Sequence, residues 1–162
     1  MPETMGGHGG LVTALVRSSF LVSSVYAEVA REYKLTPQQG QLLCVLMGQP
    51  YGMGELSATL RLAKSSLTEL VDRTTMRGLV RREPDPRDGR AIRVVLTRRG
   101  GELAGAFYTA ARHRLDALTE DLTPDQRAAL ADLLGLLVTH NDVPMVFMEP
   151  DAPTAARQAG PR

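Results

Sequence analysis

The stretch that most constrains the fold runs from Lys64 to Thr97, KSSLTELVDRTTMRGLVRREPDPRDGRAIRVVLT. Leu67, Leu70 and Val71 fall at i, i+3 and i+4, the spacing of one buried helical face. Lys64, Ser65, Ser66, Thr68, Glu69, Asp72, Arg73 and Thr75 fall on the other side. Gly78 suits the left-handed residue that closes a helix, here one from Lys64 to about Arg77. Val80–Glu83 and Ala91–Leu96 are strand-like, and Ile92, Val94 and Leu96 alternate with Ala91, Arg93 and Val95. Between them lie two prolines, two aspartates and Gly89, the composition of a hairpin tip. Helix, strand, charged turn and strand make a winged helix, in which one helix suits the DNA major groove and a hairpin lies beside it.

Charge points the same way. The chain's net charge is +1. From Arg61 to Arg99, eleven basic residues stand against five acidic ones, so this segment carries +6 and the rest is acidic. A basic centre between acidic flanks is the footprint of a module that meets phosphate.

The flanking sequence supplies the frame. Met1 to about Gly9 is Gly-rich and expected to be disordered. Leu11–Tyr33 reads as a helix with Leu11, Leu15, Val22, Val25 and Val29 at near-heptad steps, and Val12, Val16, Ala27 and Ala30 add apolar surface on neighbouring faces. A helix apolar on several sides needs several partners, one of them a second subunit. Thr36-Pro37-Gln38-Gln39 is a capping-box start for a second helix carrying Leu42, Leu43, Val45 and Leu46 and ending at Gly48. Gln49–Gly52 reads as a loop and Met53–Leu60 as a third short helix. Arg61–Ala63 is the turn into the fourth, which makes a helix-turn-helix. Thr97 caps a fifth helix to about Leu118, with Leu103, Phe107, Ala111, Leu115 and Leu118 on one face. Thr123-Pro124 opens a sixth with Leu130, Leu133, Leu134, Leu137 and Val138. Beyond His140 the chain is Pro-rich and expected to be a mobile tail in which Met145–Met148 could dock.

The fold class expected is mainly α with a small β-hairpin wing, a winged helix-turn-helix with terminal helices for pairing. Hydrophobic residues at 43% and charged at 23% suit a soluble protein. Arg17, Glu28 and four serines interrupt the apolar run of Leu11–Val29, so no membrane span is expected, and the N-terminus lacks the pattern of a signal peptide. A lone cysteine, Cys44, excludes an internal disulfide and suits a reducing cytoplasm. Set among leucines and valines with no cation beside it, it reads as a buried structural thiol, not a redox sensor. His8, His113 and His140 lack metal-ligand spacing with each other or with Cys44, so no metal and no cofactor are expected. A nucleophile with its base and a phosphate loop are also missing, which argues against an enzyme.

The order of elements, the run KSSLTELVDRTTMRGLVRR, and Asp88-Gly89-Arg90 followed after five residues by Leu96-Thr97 resemble the MarR (multiple antibiotic resistance regulator) family of bacterial transcription factors. The resemblance covers about Leu11 to Val138. It implies a homodimer in which residues 10–35 and 98–140 form the dimerisation helices and residues 36–97 the winged helix-turn-helix lobe, with 1–9 and 141–162 outside both. It also implies a pseudo-palindromic double-stranded DNA operator, action as a repressor, and release by a small-molecule effector. The chain departs from the family in three places. Ala63 stands where a serine usually caps the recognition helix, so the cap is missing or falls to Ser65 or Ser66. Glu69 occupies an often basic position. Thr74 replaces a usual leucine, which predicts looser packing.

The DNA-facing candidates are Lys64, Ser65, Ser66 and Thr68 in the first turns of the recognition helix, where base edges and phosphates are met. Glu69 could accept from cytosine N4 or orient Arg73, and Arg73 could reach a base or a phosphate. At the wing, Arg87 and Arg90 suit a narrow minor groove, with Asp88 holding Arg90 extended. Phe20, Tyr26, Tyr33 and Phe107 are the candidate effector-pocket residues, though each reads first as simple core. The alternative function is a winged-helix module that binds protein and not DNA, for which Glu69, Asp72 and the missing cap speak.

Overall fold

The computed structural model describes residues 10–144 and 146. The Gly-rich start and most of the tail, with His8, Met145, Phe147 and Met148, lie outside the described residues. The elements in order are α1 (Leu11–Glu32), α2 (Pro37–Gly48), β1 (Tyr51–Gly52), α3 (Met53–Leu60), α4 (Lys64–Met76), β2 (Val80–Asp85), β3 (Asp88–Leu96), α5 (Arg98–Ala117) and α6 (Pro124–His140). The described residues form two compact units, 10–40 with 106–142, and 41–105 with the few that follow 142.

In the first unit, Tyr26 and Tyr33 of α1 lie against Phe107 of α5, with ring centroids 6.2 and 6.3 Å apart. Phe107 is fully buried, together with Val29, Ala30 and Ala111. Gly40 lies beneath the same ring, where a Cβ would come within 2.5 Å of it. The capping box of α2 forms as its sequence predicts: Gln39 N–H donates to Thr36 Oγ1 and Thr36 N–H to Gln39 Oε1, each at 3.1 Å. Arg114 of α5 bridges Glu28 and Glu32 of α1, and Arg127 of α6 pairs with Asp116. Of the near-heptad residues of α1 only Val25 and Val29 are buried. Leu11, Leu15 and Val22 are exposed, Leu11 at 84%, as is Phe20 at 72%, so Phe20 is not part of the buried core. On α6 no residue is buried, and Leu133 is 65% exposed. By length and composition alone the 22-residue α1 is apolar enough to cross a membrane, a test that a helix of a soluble protein can also pass.

The second unit carries the larger closed core. Leu42, Leu43, Leu56, Leu67, Val71, Leu79, Val80 and Val94 have 5% or less of their surface exposed. Each such side chain contributes about 1.5–3 kcal/mol by leaving water. The sheet has three antiparallel strands in the order β1-β3-β2. Tyr51 and Gly52, expected in a loop, pair with Val94 and Arg93. A two-residue strand is too short to show alternation, and its partner is more than forty residues away, so local pattern cannot reveal it. β2 and β3 also extend beyond the expected strands to a turn at Pro86-Arg87.

The start of α5 is locked to the base of the hairpin. Thr97 Oγ1 donates to the Gly78 carbonyl at 2.7 Å and accepts from Gly100 N–H at 3.0 Å. Gly78 takes φ +69°, as expected of the residue closing α4. Gly100 is forced by contact, because a Cβ there would lie 1.8 Å from the Leu79 carbonyl oxygen.

Candidate nucleic-acid interface

The approach to α4 is set by the helix-turn-helix turn. Arg61 adopts the left-handed conformation at φ 52°, where glycine is usual. Ser57 steadies the turn: its hydroxyl donates to the Leu62 carbonyl at 2.7 Å, and its own carbonyl accepts from Leu62 N–H at 3.1 Å. Ala63 is the N-cap of α4 and no side chain caps it, so the open alternative of a Ser65 or Ser66 cap is not realised. A missing cap costs on the order of 1 kcal/mol and leaves first-turn N–H groups open to an anion.

Leu67, Leu70 and Val71 are buried beneath α4 as expected, and Thr74 joins them. The Thr74 hydroxyl donates to the Leu70 carbonyl at 2.7 Å. The polar replacement for leucine is therefore fully enclosed and satisfied, so no loosening follows from it. Lys64, Ser65, Ser66, Thr68, Glu69 and Arg73 are all exposed on α4. Thr68 donates its hydroxyl hydrogen to the Lys64 carbonyl at 2.8 Å, keeping its oxygen free to accept. Glu69 and Arg73, one turn apart, form an ion pair. Asp72 pairs with Arg82 of β2 at 2.7 Å, tying the helix to the hairpin.

On the hairpin most charges are matched. Glu83 accepts from Arg93 Nε and from Arg81 Nη2, each at 2.9 Å. These hydrogen bonds, Arg93's first, hold its carboxyl below the usual carboxylate range. Asp85 accepts from the Arg87 backbone N–H at 2.9 Å and from its guanidinium at 3.3 Å. Its pKa is lowered by the first of these and then the second, and the Arg87 pKa is raised in return.

Near the tip the register breaks. Pro84 pairs with Ile92 and Asp85 with Asp88, so Gly89, Arg90 and Ala91 form a bulge on β3. Asp88 Oδ1 accepts from the Arg90 backbone N–H at 3.1 Å. Asp88 thus acts on Arg90 through its main chain and leaves the guanidinium unbound by it. The Arg90 side chain is exposed and forms no ion pair among the described residues. Bulges re-aim a side chain at a hairpin tip. Arg87 and Arg90, alike in sequence, therefore differ: one is held by Asp85, the other is open. Gly89, which the sequence marks only as part of the hairpin tip, lies in this bulge of β3.

Cys44 is partly rather than fully buried. Burial still pushes its thiol up to about 12, the opposite of an activated thiolate.

Proteins similar to this chain in sequence and fold include transcriptional regulators. A sequence model of the MarR family matches residues 33–91. The uncharacterised HTH-type transcriptional regulator YsmB of Bacillus subtilis (strain 168) is 32% identical over 103 residues, 62% of this chain and 70% of YsmB. Among solved structures, the transcriptional repressor CouR bound to a 23-mer DNA duplex superposes with a TM-score of 0.69 at 28% identity, covering 79% of this chain and 92% of that one. NadR in complex with 4-hydroxyphenylacetate does so at 0.65 and 25% identity, covering 85% and 97%. The elements, the bulged wing with its Asp-x-Arg and Leu-Thr residues, and these matches lead to one conclusion: the chain belongs to the MarR family of winged helix-turn-helix transcriptional regulators.

Proposed function

We propose that this chain is a homodimeric repressor that binds a pseudo-palindromic operator in duplex DNA, works in the cytoplasm and catalyses no reaction. The observation that carries the reading is the contrast at the wing, where every other arginine from 81 to 93 is paired with an acid and Arg90 is left open on a bulge whose backbone Asp88 fixes. Arg90 is the side chain assigned to the minor groove, with Lys64, Ser65, Ser66, Thr68 and Arg73 of α4 in the major groove. Arg87 takes a supporting role beside Asp85. The CouR–duplex structure supports DNA as the partner, and the NadR complex supports a small organic acid as effector. The uncovered apolar faces of α1 and α6 support pairing through 10–35 and 98–140. They favour a second copy over a membrane, because Arg114 neutralises Glu28 and Glu32 along α1 as in a water-facing bundle.

The test is binding to duplexes selected from genomic fragments. Affinity should fall by on the order of a thousandfold or more between 50 and 200 mM salt, as for several phosphate contacts. Arg90→Ala should weaken binding about tenfold or more and leave the melting temperature unchanged. Wild-type affinity in that variant would remove Arg90 from the interface. A stable protein complex without duplex binding at low salt would favour the protein-interaction reading.

A further inference from the structure

We infer that Glu69 is a specificity-determining residue that reads a cytosine in the operator half-site, with Arg73 taking a neighbouring guanine. The inference rests on the DNA-binding reading above and deepens it. Of the two acids on α4, Asp72 is neutralised by Arg82 of the hairpin at 2.7 Å. Glu69 is paired only along its own helix, with Arg73, and the two side chains are 61% and 69% exposed. An exposed pair at i, i+4 contributes little stability, so it opens readily when either member finds a better partner.

A carboxylate at a DNA-facing position is repelled by phosphate and has few partners in the groove. On the major-groove edge only cytosine N4 and adenine N6 are amino donors. Adenine places its N7 acceptor beside N6, which opposes a carboxylate. Cytosine offers N4 beside an apolar C5–H, which does not. Arg73, released from Glu69, carries the two-pronged donor that matches guanine O6 and N7. Residues four apart on a helix lie about 5–6 Å apart at Cβ, which brings the two side chains to neighbouring base pairs. The pair thus serves as a latch in the free protein and as two separate readers on DNA.

The test is selection of bound duplexes from a randomised pool by the full-length wild type, Glu69→Ala, Glu69→Gln and Arg73→Ala, followed by affinities for single-base variants of the selected site. Wild type should hold one cytosine per half-site with about tenfold or greater discrimination. Glu69→Ala should reduce this to within about twofold there and nowhere else, Glu69→Gln should shift the preference to adenine, and Arg73→Ala should erase a guanine preference at a neighbouring pair. An unchanged preference profile in Glu69→Ala overturns the inference, as does uniformly tighter binding to every sequence, which would mark Glu69 as a repulsive charge only. In both outcomes DNA binding itself stands. No duplex binding by wild type at low salt would overturn the inference together with the reading beneath it.

Discussion

The two units of this chain solve the burial problem in opposite ways. The 41–105 unit encloses Leu42, Leu43, Leu56, Leu67, Val71, Leu79, Val80 and Val94, and its exposed large apolar side chains are confined to Met76 and Ile92 before residue 106. The other unit buries the Phe107 cluster and leaves apolar side chains of α1 and α6 in the open, from Leu11 to Val22 and from Leu130 to Val138. One unit is closed on itself, whereas the other has apolar surface that no described residue covers. The polar surface differs in the same sense: on the hairpin, charges are arranged into pairs around Arg90, which forms no ion pair among the described residues, while α6 has leucines where a solvated helix would carry charges.

The sharpest way to break the closed unit is Gly100→Ala. The added methyl meets the Leu79 carbonyl with no room to yield, so a loss of about 3 kcal/mol or more is expected, at the upper end for overpacking. Denaturant unfolding should show it, with operator binding lost in parallel. A variant as stable as wild type would mean that the α5 start is not held against the hairpin.

The open unit is tested by Leu133→Glu with Leu137→Glu. Charges buried in a pairing face should weaken association by about 3 kcal/mol or more. Sedimentation should show half the wild-type mass, while the lobe's secondary structure remains. An unchanged mass would place the pairing face elsewhere.

The smallest effect concerns Cys44. Burial pushes its pKa above the ordinary thiol value, up to about 12, so the neutral thiol is the form that folding favours. That contribution is complete below about pH 9 and is lost as pH rises toward 12. Alkylation of the native protein at pH 8 should therefore be slower than that of the unfolded chain by on the order of a hundredfold. Equal rates would show that the thiol is open to solvent.

Much of this was legible in the residues, for identifiable reasons. Capping boxes and the i, i+3, i+4 pattern are local, and the starts of α2 and α6 and the buried face of α4 follow from them. β1 was not legible, because its pairing with Arg93 and Val94 is a tertiary event. At the candidate interface, sequence supplied the residues but not their states. It could not tell that Asp85 would hold Arg87, or that Asp88 would bind the main chain of Arg90. Nor could it tell that Thr74 would close its own hydrogen bond inside the helix.

The hairpin has one further consequence. β2 is the outer strand of its sheet, and β3 toward the tip is covered on one side only. Such open edges are templates on which other chains add strands and aggregate. Here the outer strand reads Val-Arg-Arg-Glu-Pro-Asp: a proline that cannot donate, charges along the edge, and a bulge where the ladder would continue. The features that shape the wing toward a polyanion also keep the protein from joining its sheets edge to edge, so a variant that replaces Arg81, Glu83 and Pro84 together by uncharged residues with a backbone N–H should lose solubility before it loses its fold.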